Sequence, residues 1–150
     1  MSGEQWMQAG ITVLIGAVVY VFGEIIKRAF LDPINEQRQV ITEIAASLVM
    51  FANRFAHTGF FLPEDRQSLD EARLTLRRHA AEFDARTRMI PWYGLWSLLH
   101  LVPPWENALE AIRGLIGISN HTPPRNPDEV DLNDKQRAII LKSLGLSSQK

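Results

Sequence analysis

The sequence predicts an all-α membrane protein, with a single N-terminal transmembrane helix followed by a small cytosolic helical bundle built on an antiparallel helix hairpin. Three observations carry that class. An apolar run from Trp6 to Ile26 holds one charge, Glu24. Beyond it, apolar residues recur at spacings of three and four, the period of a helix with one buried face. No stretch alternates apolar and polar residues as a half-buried strand does.

The run Trp6–Ile26 is 21 residues long. At about 1.5 Å per residue it reaches about 31 Å, the hydrocarbon thickness of a bilayer. The leader before it has a carboxylate and no Lys or Arg, and FGEIIKR after it reads as a stop-transfer flank, so an uncleaved anchor is expected rather than a signal peptide. Glu24 falls near the end of the run, where a carboxylate reaches the interface and pairs with Lys27 and Arg28, three and four positions on. Lys27, Arg28 and Arg38 all follow the span and no Lys or Arg precedes it. The positive-inside asymmetry therefore puts the N-terminus outside and the remaining domain in the cytoplasm. Trp6, Lys27 and Arg28 are the expected membrane-interface residues. Ala9, Thr12, Gly16 and Gly23 form a stripe of small residues on which two such helices could approach closely, a candidate self-association face.

Leu31-Asp32-Pro33 is expected to break the chain, with Asp32 as N-cap and Pro33 in the first helical turn. A helix over roughly 33–56 then places Ile34, Ile41, Ile44, Leu48, Phe51 and Phe55 on one face, and His57-Thr58-Gly59 ends it. Pro63, Glu64 and Asp65 start the next helix, with carboxylates at its positive end. It runs to about Met89, with Leu69, Leu76, Phe83 and Ile90 at sevens and Ala72 and Ala80 beside them. The pairs Glu82–Arg86 and Asp84–Arg88 suit ion pairing one turn apart. Leu48, Phe51, Leu76 and Phe83 are expected in the hairpin core.

Pro91 and Pro103-Pro104 bracket a short apolar helix with Trp92, Tyr93 and Trp96, and Trp105 lies just beyond. This segment has three readings: core packing, an interfacial helix on the inner leaflet, or a groove for a ligand or partner. A helix to about Ile118 follows, with Leu109, Ile112, Leu115 and Ile116 inward. SNHTPPRNPDEV reads as a proline-rich linker. The last helix, roughly 132–144, carries Leu132, Ile139, Ile140 and Leu144, with Gly145 as its stop, and is expected to dock rather than stay free. The organisation is thus anchor 1–31, bundle 32–118, linker 119–130 and C-terminal helix 131–150.

Composition removes several function classes. Cysteine is absent, which excludes disulfides, thiolate metal sites and cysteine nucleophiles. Lys plus Arg is 16 against 17 for Asp plus Glu, so no basic excess points to a nucleic acid duplex. The four histidines show no metal-ligand spacing, and no P-loop, GxGxxG or GxSxG occurs. No catalytic residue, cofactor or metal is expected. Arginine outnumbers lysine twelve to four, and Arg66, Arg73, Arg77 and Arg78 could grip a small anionic ligand such as a nucleotide messenger. The expected partners are the lipid bilayer and a protein, either another copy of the chain or a different one. A sensor whose Arg-rich helix binds an anion and whose span oligomerises is the alternative to a scaffold.

The stretches FGEIIKRAFLDPINEQRQVITEIA and IPWYGLWSLLHLVPPWENALEAIRGLIGISN resemble a loose group of uncharacterised bacterial membrane proteins with one N-terminal span and a helical cytosolic domain. The resemblance covers about residues 15–120 and lies in hydrophobic positions and prolines. It implies the same architecture and an inner-membrane location, and it carries no functional residue across.

Overall fold

The computed structural model describes residues 3–53 and 63–146, excluding the side chains of Glu4, Gln5, Ala9, Pro63, Glu64 and Asp65. Among the described residues the chain is helical, without a strand. Helix α1 spans Gly3–Ile26 and α2 spans Asp32–Met50. Then come α3 (Pro63–Met89), α4 (Tyr93–Leu98), α5 (Trp105–Asn120) and α6 (Pro127–Ser143).

The expected break at Leu31-Asp32-Pro33 does not occur. Lys27–Leu31 form a π-helical turn, and the helix continues from Trp6 to Met50 as one rod of 45 residues. The reason lies in Pro33. In a regular α-helix its ring would press on the carbonyl one turn back, and its missing N–H would leave an acceptor empty. The widened turn relieves both problems, and the Asp32 N–H reaches the Lys27 carbonyl five residues back. Asp32 is therefore inside the helix rather than its N-cap.

The main core lies where α2, α3, α5 and α6 meet. Leu48, Leu76 and Phe83 are fully buried there and Phe51 nearly so. Leu69, Ala72, Ala80 and Ile90 are buried too, so the whole heptad stripe of α3 points inward. Between α2 and α3, Ser47 meets His79, whereas Gln37 and Glu36, earlier on α2, meet Thr87 and Arg86, later on α3. The connection 54–62, with Phe55 and the expected stop at His57–Gly59, lies outside the described residues. Arg88 pairs with Asp84 at 3.0 Å, as its spacing predicts. Arg86 does not take Glu82; it bridges to Glu36 on α2.

Helix α5 turns inward a face that only partly matches the one expected: Leu115 is buried as expected and Ile112 packs against the core, but small residues make up most of the face. Ala108, Ala111, Gly114, Leu115 and Ile118 are buried, whereas Leu109 and Ile112 are half-buried and Ile116 is exposed. Small residues win this face because α6 lies close against it. A Cβ on Gly114 would come within 2.6 Å of Ile140 Cγ1, and one on Gly117 would meet the Gln136 amide. On α6, Ile140 and Leu144 are buried, but Leu132 and Ile139 remain exposed.

The expected linker 119–130 is helical at both ends. Helix α5 runs to Asn120 and α6 begins at Pro127, which leaves a six-residue connector. Asn126 is the N-cap of α6, and Glu129 reaches back to the residue before it. The Asn126 Oδ1 accepts from the Glu129 N–H at 2.9 Å, and the Glu129 carboxylate accepts from the Arg125 N–H at 2.6 Å. Proline at the first helical position completes the start. At the other end Gly145, at φ +70°, closes α6 as expected. The Leu146 N–H bonds to Leu141 O and the Gly145 N–H to Lys142 O, the double closure of a Schellman motif.

Candidate membrane-facing surface

Helix α1 makes no use of the core. It is long and apolar enough to cross a membrane, and none of its apolar window is buried against the rest of the chain. Val13, Leu14, Val19 and Phe22 are exposed on different sides of the rod. Exposure all round is what a helix solvated by lipid tails requires. At the end of the run, Arg28 Nε donates to Glu24 Oε1 at 2.8 Å, the expected neutralising pair. Trp6 and Lys27 are exposed at opposite ends. In the small-residue stripe, Thr12 Oγ1 donates to the Gln8 carbonyl at 2.9 Å, and Gly16 and Gly23 stand in open space. The Ala9 side chain lies outside the described set.

The tryptophan segment divides into an inner and an outer part. Ile34, Ile90 and Val102 form a second small core, with Tyr93 and Trp96 packed against it. Polar atoms hold this layer in place. The Tyr93 hydroxyl donates to Pro103 O at 2.7 Å and accepts from the fully buried Gln37 amide at 3.4 Å. Gln37 also donates to Thr87 Oγ1 at 2.8 Å, and Trp96 Nε1 donates to Pro91 O at 2.9 Å. Burial pushes the Tyr93 phenol above its ordinary value. Trp105 packs edge-on to Tyr93 and lies under the Arg88 guanidinium. Trp92, by contrast, is 71% exposed. The core reading thus holds for Trp96 in part and fails for Trp92.

The four arginines expected to bind an anion all sit at exposed positions on α3. Arg77 serves as a strut to α5: its guanidinium donates to Asn120 Oδ1 at 2.8 Å and to Ser119 Oγ at 3.3 Å. A broader groove lies elsewhere. It encloses about 560 Å³ between α2, the α4–α5 connection and the end of α6, with Arg38, His100 and Lys142 among its lining.

A cluster invisible in the sequence lies on the α2–α3 face. Glu43, His79 and Glu82 bring one donor atom each within 4.8 Å of one another. Two carboxylate oxygens and an imidazole nitrogen are donors a divalent cation such as zinc or manganese accepts. Only His79–Glu82 has a helical spacing; Glu43 comes from another helix, so linear spacing could not reveal the set. The buried His79 ring is also bonded to Ser47, Nε2 to Oγ at 2.9 Å. Burial pushes its pKa below the ordinary value, Arg78 adds to the shift, and Glu43 and Glu82 oppose it. A depressed folded value means that acid favours the unfolded chain, whose imidazole takes the proton more readily. His79 therefore contributes stability that is complete above the unfolded value, ~6.5, and is lost as pH falls through the lower folded one. Thermal unfolding in detergent between pH 8 and 5 should show the midpoint falling below about pH 6.5, with a shallower fall in His79→Gln. Equal slopes for the two proteins would remove His79 as a source of acid sensitivity.

Comparison of the chain with protein-family models, with curated proteins and with solved structures finds no match.

Proposed function

We propose that the chain is a non-enzymatic, single-pass membrane module. Trp6–Ile26 crosses the bacterial inner membrane, and the helical domain faces the cytoplasm to engage a protein partner or another copy of the chain. The observation that supports this most is the contrast between two helices of the same rod. One apolar face of α2 is buried, with Ile44 and Leu48 at 0% exposure and, of its large apolar residues, only Val49 and Met50 at its end widely exposed, whereas α1 has no buried face and Val13 and Leu14 stand at 72% and 66%. An apolar surface of that extent needs a non-aqueous neighbour. Lys27, Arg28 and Arg38, all after the span, support the orientation. Gly16 and Gly23, open to approach, support self-association through the stripe with Ala9 and Thr12.

The test is a pair of topology reporters fused after Lys150. The form active in the cytoplasm should report, and the form active only in the periplasm should stay silent. Activity of the periplasmic form would reverse the orientation, and recovery of the fusion in the soluble fraction would remove the span.

A second reading keeps the anchor and adds a small anionic ligand. Arg66, Arg73 and Arg78 remain exposed on α3 and support it. Nucleotide binding by the full chain that weakens steeply with salt would favour this reading over a plain scaffold.

A further inference from the structure

We propose that Trp92, Leu95, Leu98 and Leu99 form a lipid-contacting wedge that lies in the headgroup layer of the leaflet from which the span emerges, seating the helical domain on the membrane surface. The inference rests on the reading of Trp6–Ile26 as a transmembrane helix.

The first support is exposure. Trp92 is 71% exposed, Leu95 47%, Leu98 74% and Leu99 54%, all within or beside one short helix, α4. Four large apolar side chains so close together are a patch, unlike the single exposed leucines of an ordinary surface.

The second is position. Phe30 lies four residues beyond Ile26, and its ring sits 5.4 Å from that of Trp92 and 5.9 Å from that of Trp96. Four residues advance an α-helix by about 6 Å, and the wider π turn by somewhat less. The headgroup layer on each side of the hydrocarbon is about 5–8 Å thick. Phe30 therefore falls inside that layer whenever Trp6–Ile26 fills the hydrocarbon, and the indoles against it lie within or beside it. Indole rings favour this depth, and Lys27 adds a cationic group beside the same layer for anionic phosphates.

The third is the way the wedge is held. Trp92 and His100 bound α4 with left-handed φ values of +54° and +58°. A bulky residue in that region is strained and persists only where surrounding contacts over-determine it. Those contacts are present. The His100 N–H bonds to Ser97 O and the Leu101 N–H to Trp96 O, Arg38 Nε donates to Leu101 O at 3.2 Å, and the Tyr93 and Trp96 polar atoms are tied to Pro103 and Pro91. The segment is thus fixed on its inner side while its leucines and Trp92 point away from the core. A rigid apolar edge beside the end of a span fits lipid as its occupant.

The absence of cysteine permits a direct test. Single cysteines at Leu14, Leu98 and Asp131, in the full chain reconstituted into vesicles of phosphatidylethanolamine and phosphatidylglycerol, would carry nitroxide labels. Collision with oxygen, which concentrates in lipid, is compared with collision with a water-soluble nickel complex. The expected result is oxygen dominance at Leu14, an intermediate ratio at Leu98 corresponding to about 5–10 Å of penetration at the headgroup boundary, and nickel dominance at Asp131. Oxygen dominance at Leu14 with Leu98 as nickel-accessible as Asp131 would overturn the wedge and leave the span intact. Nickel dominance at Leu14 would remove both. Leu98 shielded from both reagents, with spectral broadening between labels that vanishes on dilution with unlabelled chain, would place a second copy there and overturn the lipid assignment.

Discussion

Replacing Phe83 by alanine should destabilise the helical domain by about 3–5 kcal/mol, the range for deleting a buried aromatic side chain. Phe83 is fully buried in the cluster shared by α2, α3, α5 and α6. Close packing on all sides limits how far the neighbours can collapse into the space it leaves. In detergent the unfolding midpoint should fall by roughly 10–20 °C. Leu74 on the same helix is 65% exposed, and Leu74→Ala should stay within about 0.5 kcal/mol of wild type. A Phe83→Ala midpoint within about 2 °C of the wild-type value would take this residue out of the core.

Leu14→Arg should act on a different equilibrium. Leu14 lies two residues from Gly16, the middle of the apolar run. On an insertion scale leucine at the centre of a span contributes about −0.5 kcal/mol and arginine about +3, so the change costs about 3–4 kcal/mol. Recovery in carbonate-washed membranes should drop sharply, while Leu74→Arg should leave it unchanged. The two leucines have nearly equal exposure, 66% and 65%. A pure surface-polarity effect would treat them alike, so equal recovery of the two variants would mean that α1 is not solvated by lipid.

The long apolar helix and the buried stripe of α3 are legible in the sequence because each depends on a pattern contained within one helix. Leu69, Leu76, Phe83 and Ile90 repeat by sevens, and all four are buried. Patterns that depend on the neighbour are harder to read. The inward face of α5 is decided by how closely α6 approaches, and Gly114 with the alanines permits that approach where Leu109 and Ile112 do not. The start of α6 was readable in principle from Asn126-Pro127-Asp128-Glu129, but three prolines in SNHTPPRNPDEV suggest a linker more loudly than one N-cap asparagine suggests a helix. The cluster of Glu43, His79 and Glu82 spans two helices and has no linear signature at all. Phe30 touching Trp92 and Trp96 likewise joins residues more than sixty positions apart.

The unbroken passage from α1 through the π turn into α2 has a mechanical consequence. A loop at Asp32-Pro33 would let the span swivel and tilt while the domain stayed still. A continuous rod of 45 residues does not permit this. Twisting α1 about its long axis transmits the same angle to α2, and with it to the face that carries Ile44 and Leu48. The π turn sets the phase between the two ends, because one residue added or removed there would rotate α2 by about 100° relative to the span. If two copies of the chain pair through α1, the azimuth of that contact would dictate the azimuth at which their two domains confront each other.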